Sequence, residues 1–171
     1  MRTLTKQTTL ITLIITLLAS LMLMATPAAA FTDMNGKPAT IDSLVGKGKW
    51  SVFKIWSADC HVCRQTIHYL SDFEASYPAA DVFGISIDGA QEKQKAQAFI
   101  DDYNLSFPNL LGDSQEMSDF LYAKAKETLM GTPTTLVFNP KGKLVAVQPG
   151  AVTAKELVSF IQREEAAGQA E

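Results

Sequence analysis

The stretch Trp56-Ser57-Ala58-Asp59-Cys60-His61-Val62-Cys63 decides how the rest of this chain is read. It holds the only two cysteines among 171 residues, and two residues separate them. The apolar run Trp50 to Trp56 leads into it. Val62, Thr66, Leu70, Phe73 and Tyr77 leave it at helical spacing, closed by Pro78. Two thiols one turn apart at the start of a helix can form and break a disulfide with little backbone motion, which is the working part of a dithiol/disulfide redox site. Two blander uses compete. A structural staple works best on a long loop, and one this short is worth only about 2 kcal/mol by chain entropy. A metal site would need His61 and His68, which lie about 10 Å apart along a helix, too far to share one ion; no metal is assigned.

The first 30 residues read as an export signal. Arg2 and Lys6 precede a nearly unbroken apolar stretch from Leu10 to Met24, and Pro27-Ala28-Ala29-Ala30 offers small residues of the Ala-x-Ala kind before Phe31. A spanning helix needs about 20 apolar residues, so the stretch is short for one, although an uncleaved anchor is the alternative. Cleavage would remove two bases and no acid, moving the formal net charge from −3 to −5. A mildly acidic remainder of 141 residues argues for one core and against nucleic acid or anionic lipid as partner. Export also puts the cysteines where a disulfide persists. The periplasm is the expected location, with residues 31–165 as the domain, 166–171 as a frayed tail, and a monomer as the expected state.

Along the mature chain, Phe31 to Ile41 reads as a hairpin turning at Asn35-Gly36, followed by a helical turn capped by Asp42. Trp50–Trp56 and Asp81–Ile87 read as strands, Gln91–Asn104 as a helix, Leu105–Leu111 as a short strand weakened by Pro108, and Ser114–Lys126 as a helix. Thr134–Phe138 and Leu144–Gln148 form a hairpin across Asn139-Pro140-Lys141-Gly142. Thr153 then caps a last helix, polar from Arg163 onward. Strand, helix, strand implies a parallel pair with a right-handed crossover, so the fold class is α/β, a mixed sheet flanked by helices.

This order, with Cys-x-x-Cys after the first core strand and Gly131-Thr132-Pro133-Thr134-Thr135 before the hairpin, resembles the thioredoxin-like fold. The export signal, the N-terminal hairpin and a helix/strand insertion between Cys63 and Pro133 resemble the TlpA/ResA-type thiol–disulfide oxidoreductases more closely. The resemblance implies a cis Thr132–Pro133 bond beside the disulfide, with Thr132, Pro133 and Trp56 meeting the client. It implies Cys60 as nucleophile and Cys63 as resolving thiol, with no cofactor beyond the disulfide. The expected partners are client protein thiols and disulfides, in the manner of cytochrome c biogenesis or copper-site assembly, and a membrane electron donor of the DsbD type.

Three residues are candidate tuners of the redox pair, and two of them, Asp59 and Lys54, depart from the resembling family. Asp59 stands where a Trp commonly precedes the first Cys, and its charge opposes a neighbouring thiolate. His61 acts the other way when protonated. Lys54 lies inside the apolar strand where thioredoxins commonly carry a buried acid, and Thr66 stands where ResA-type members often have a Glu. Alternation puts Val52, Lys54 and Trp56 on one face and Phe53 and Ile55 on the other. A buried Lys54 would stabilise thiolate near Cys63 and tilt the pair toward oxidising power. The alternative is an amine that snorkels to solvent.

A reductase is the favoured reading. An oxidase or isomerase on the same fold stays open, as does a Cu(I) chaperone holding the metal on both thiolates. Copper carriers resembling Sco proteins use a longer Cys spacing and a distant His, and peroxiredoxins place Thr and Pro upstream of the reactive Cys. Neither pattern is present here.

Overall fold

The structure, a computed structural model, describes residues 31–168. The export signal expected over residues 1–30 and its alternative as an anchor lie outside the described residues. Among the described residues no helix is long and apolar enough to cross a membrane.

The centre of the sheet is the run that leads into the cysteines. Strand β3 (Trp50–Trp56) is buried along its whole length. It pairs in parallel with β4 (Ala80–Ser86) and antiparallel with β6 (Thr134–Phe138), which pairs with β7 (Leu144–Pro149). On the other side β4 pairs in parallel with β5 (Asn109–Leu111). The N-terminal hairpin of β1 (Phe31–Asp33) and β2 (Pro38–Ala39) joins the sheet antiparallel to β5, giving the order β2-β1-β5-β4-β3-β6-β7. The strand of the expected insertion is therefore what ties the hairpin to the sheet.

Alternation along β3 sorts the two layers. Trp50, Val52 and Trp56 pack with Cys63, Ile67, Leu70 and Phe73 on one face, where Phe99, Leu157 and Ile161 complete the layer. Phe53 and Ile55 pack with Met117 and Leu121 on the other, and Phe53 stacks on Phe83 at 4.7 Å. Helices α1 (His61–Thr66), α2 (His68–Ser76), α3 (Lys93–Asp102) and α5 (Ala154–Gly168) thus cover the Cys63 face. Helix α4 (Ser114–Ala125) covers the opposite one and opens on a capping box between Asp113 and Glu116.

Four local expectations are revised. The hairpin turn spans more than Asn35-Gly36, because the Asp33 carboxylate accepts the N–H groups of Asn35 (2.8 Å) and Lys37 (2.9 Å) and organises a wider loop. The following 3-10 turn, Ile41–Ser43, is capped by Thr40, whose Oγ1 accepts from Ser43 N–H at 3.2 Å; Asp42 instead pairs with Lys124. The helix after the cysteines is interrupted at Ile67, and Val62 lies 43% exposed instead of on the packed face. The last helix runs through Gly168, into the tail expected to fray over 166–171, because Glu165 accepts hydrogen bonds from Trp50 Nε1 (3.0 Å) and Tyr77 Oη (3.2 Å).

Candidate functional site

The parallel strand β3 ends at Trp56, and the chain must turn through Ser57-Ala58-Asp59 before α1 can begin. Cys60 is the N-cap of α1, with extended backbone (φ −75°, ψ 109°). This leaves its sulfur at the rim, half-buried, while Cys63 one turn on is fully enclosed. The two form a disulfide with Cα atoms 5.2 Å apart. The Cys63 N–H donates to Cys60 Sγ at 3.0 Å, a bond that strengthens when that sulfur is a thiolate and so favours negative charge on the outer cysteine. Facing it, the Thr132–Pro133 bond is cis, and the Thr132 carbonyl oxygen lies 3.4 Å from Cys60 Sγ. Two apolar side chains stand out beside this pair, Val62 on α1 and Met130 (78% exposed) on the approach to Pro133.

The turn that aims Cys60 is held by residues that sequence reasoning missed. Asp88 reaches across from just beyond β4 and accepts from Ala58 N–H (3.0 Å), Ser57 Oγ (2.6 Å) and Ser86 Oγ (2.6 Å). Arg64 on α1 reaches back and donates through Nε (3.0 Å) and Nη2 (2.6 Å) to the Ala58 carbonyl. Ala58 is thus pinned at its N–H by one element and at its C=O by another. An acid at the carboxyl end of a parallel strand, where open α/β sheets build their sites, was the one sequence signal for Asp88. Arg64 carried none.

Of the three candidate tuners, Asp59 is exposed and bonded to Lys95 of α3, with Arg64 at 4.0 Å. The Lys95 bond, then the charges of Lys95 and Arg64, hold its carboxyl below the usual range. Its repulsion of a Cys60 thiolate is offset by two cations. His61 begins α1 with its ring exposed, and no hydrogen bond among the described residues joins it to a sulfur. Lys54 is 1% exposed, and burial lowers its pKa to about 8. Thr66 donates back to the Val62 carbonyl at 2.8 Å, closing its own turn.

Trp56 cannot meet a client. It is fully buried, stacks on Phe99 at 4.3 Å, and its Nε1 donates to Asn109 Oδ1 at 3.1 Å. Its contribution is to fix the end of β3. Gly84 makes room for that bond, since a Cβ there would lie 1.8 Å from Asn109 Oδ1 and 2.9 Å from Trp56 Nε1. Among the described residues no group of three or more His, Cys, Asp or Glu could hold a metal ion.

Comparison with known proteins agrees with this geometry. A family model described as AhpC/TSA family matches residues 24–147. The thiol-disulfide oxidoreductase ResA of Bacillus subtilis (strain 168) is 25% identical over 135 residues, covering 79% of this chain and 71% of that protein. The sporulation thiol-disulfide oxidoreductase A of the same organism is 25% identical over 123 residues, 70% of this chain and 71% of that protein. Among solved structures, MTB dsbF superposes with a TM-score of 0.63 at 21% identity, over 81% of this chain and 98% of that one. StoA from Bacillus subtilis gives 0.58 at 20% identity, over 79% and 99%. The fold is the thioredoxin-like one.

Proposed function

Since the chain belongs to the AhpC/TSA family and is a thiol–disulfide oxidoreductase, we propose that it is exported to the periplasm and exchanges disulfides with client proteins, working chiefly as their reductase. What carries the reading is the asymmetry of the pair. The outer sulfur is accessible and favoured as thiolate by the Cys63 N–H, and the inner one is shielded by the core.

In the reducing direction the Cys60 thiolate attacks one sulfur of a client disulfide. That bond breaks, the other client sulfur leaves as a thiolate, and a mixed disulfide joins client to Cys60. Cys63 then gives up its proton and attacks Cys60 Sγ. This releases the second client sulfur and leaves the Cys60–Cys63 disulfide that a donor of the DsbD type would reduce again. The Thr132 backbone beside the sulfur suits an extended client segment that pairs with it as an added strand. Exposed Val62 and Met130 favour apolar side chains next to the client cysteine.

The test is exchange with glutathione and with a disulfide-containing peptide. Cys60→Ala should abolish exchange, and Cys63→Ala should accumulate a mixed disulfide through Cys60. A Cys63→Ala protein that traps nothing, or a wild-type pair that stays unchanged over the whole glutathione range, would refute the reading. Mature protein beginning at Phe31 in the periplasmic fraction is the expected outcome for export.

A further inference from the structure

Among the described residues Lys54 is the one buried charged side chain, and the disulfide mechanism above makes no use of it. It sits on β3 between Val52 and Trp56, and both of these share a packed cluster with the enclosed Cys63. Its neighbours across the sheet are Gly84 on β4 and Thr135 on β6, neither of which carries charge. None of the ion pairs among the described residues includes it, and burial alone accounts for its altered acidity.

The charged groups on the elements packed around it are committed elsewhere. Arg64 of α1 holds Ala58, Lys95 of α3 holds Asp59, and Asp88 beyond β4 holds the turn. On α5, Glu156 caps its own helix by bonding Thr153, and Arg163 lines with it an open cleft that Thr135 also borders. In the disulfide state the cysteine pair, whose inner member packs on the same face of β3, is neutral. A buried cation without a counter-ion is costly, and among the described residues the one other buried ionisable side chain is Cys63 of the pair.

Resting on the exchange reading above, we propose that Lys54 is the built-in counter-charge of the reduced pair, so that opening the disulfide relieves its isolation and draws electrons toward the site. Lys54 acts through the sulfurs and touches no client. When a client dithiol hands over its two electrons, its own sulfurs join as a disulfide and the Cys60–Cys63 bond breaks. The pair keeps one proton and one negative charge, and the second proton leaves. Below about pH 8 Lys54 is charged in both states, so two electrons bring one net proton. Above it, the disulfide state has lost the Lys54 proton while the reduced state retains it, and two electrons bring two. The equilibrium with the glutathione couple then changes by about tenfold per pH unit below the break and about a hundredfold above it, once glutathione's own titration is subtracted. Direction of flow in the cell still follows from the partner's potential; Lys54 raises the pair's own.

The experiment is a glutathione redox titration of wild type, Lys54→Met and Lys54→Gln at several pH values, with the thiolate absorbance of Cys63 followed in a Cys60→Ser background. Both variants are expected to lower the oxidising equilibrium constant at least tenfold, equivalent to about 30 mV, to lose the break near pH 8, and to raise the Cys63 thiolate titration. Lys54→Arg, which keeps the charge, should restore the constant but not the break. Unchanged constants in both variants would overturn the proposal. So would a shifted constant with the break intact, since that marks altered packing and not charge. A wild-type pair that exchanges normally while these variants match it defeats only this inference and leaves the exchange reading standing.

Discussion

Replacing Asp88 by Ala should loosen the turn that aims Cys60, and its size can be worked from the contacts. The carboxylate accepts from Ala58 N–H, Ser57 Oγ and Ser86 Oγ. Ser57 is half-exposed and can turn to water. Ser86 is 0% and Ala58 3% exposed, so neither can rehydrate without opening the fold. Two stranded buried groups at roughly 1–3 kcal/mol each give an expected loss of about 3 kcal/mol, allowing for partial relaxation. Asp88→Asn keeps an acceptor for Ala58 and an amide that can donate to Ser86, and should lose only about 1 kcal/mol. Urea unfolding of the oxidised proteins measures both, because a cooperative transition at unchanged slope reports stability directly. The exchange rate at Cys60 should fall in Asp88→Ala and be largely kept in Asp88→Asn. If the Ala variant loses less than about 1 kcal/mol, or the Asn variant loses as much as the Ala one, the carboxylate is not what holds the turn.

Three further outcomes are expected. Gly84→Ala puts a methyl against Asn109 Oδ1 and Trp56 Nε1, so it should break their bond and lower stability by about 2–3 kcal/mol in the same unfolding assay. Lys95→Ala uncovers the Asp59 charge and should raise the Cys60 thiolate titration at low salt; the double variant with Asp59→Asn should return it, as thiolate absorbance would record. Lys54 has a folded pKa of about 8 against an ordinary 10.5, so the unfolded chain binds more protons between these values and stability rises with pH across that window. The gain of oxidised wild type over Lys54→Met from pH 8 to 10.5 should reach about 3 kcal/mol by alkaline denaturant titration, and no gain would mean the amine is solvated.

Much of this molecule was legible before any coordinates. The cysteine spacing, the order of strands and helices, the cis bond inferred from family resemblance, and the alternation that set Lys54 on the Cys63 side of β3 all lie within single elements or short motifs. There the two-residue period of a strand and the turn of a helix decide which way a side chain points. Packing across elements decided the rest. The residues that meet at Ala58 come from β3's end, from α1 and from a position 30 residues downstream, and Trp56 finds Asn109 at a separation of 53. Nothing in local periodicity encodes such pairings, because they exist only once parallel strands lie side by side. Trp56 was expected to face a client and instead lies under α3, and Lys54, whose alternation left burial open, is 1% exposed. A sequence specifies the face a residue takes, whereas burial and partners depend on what the rest of the chain lays on that face.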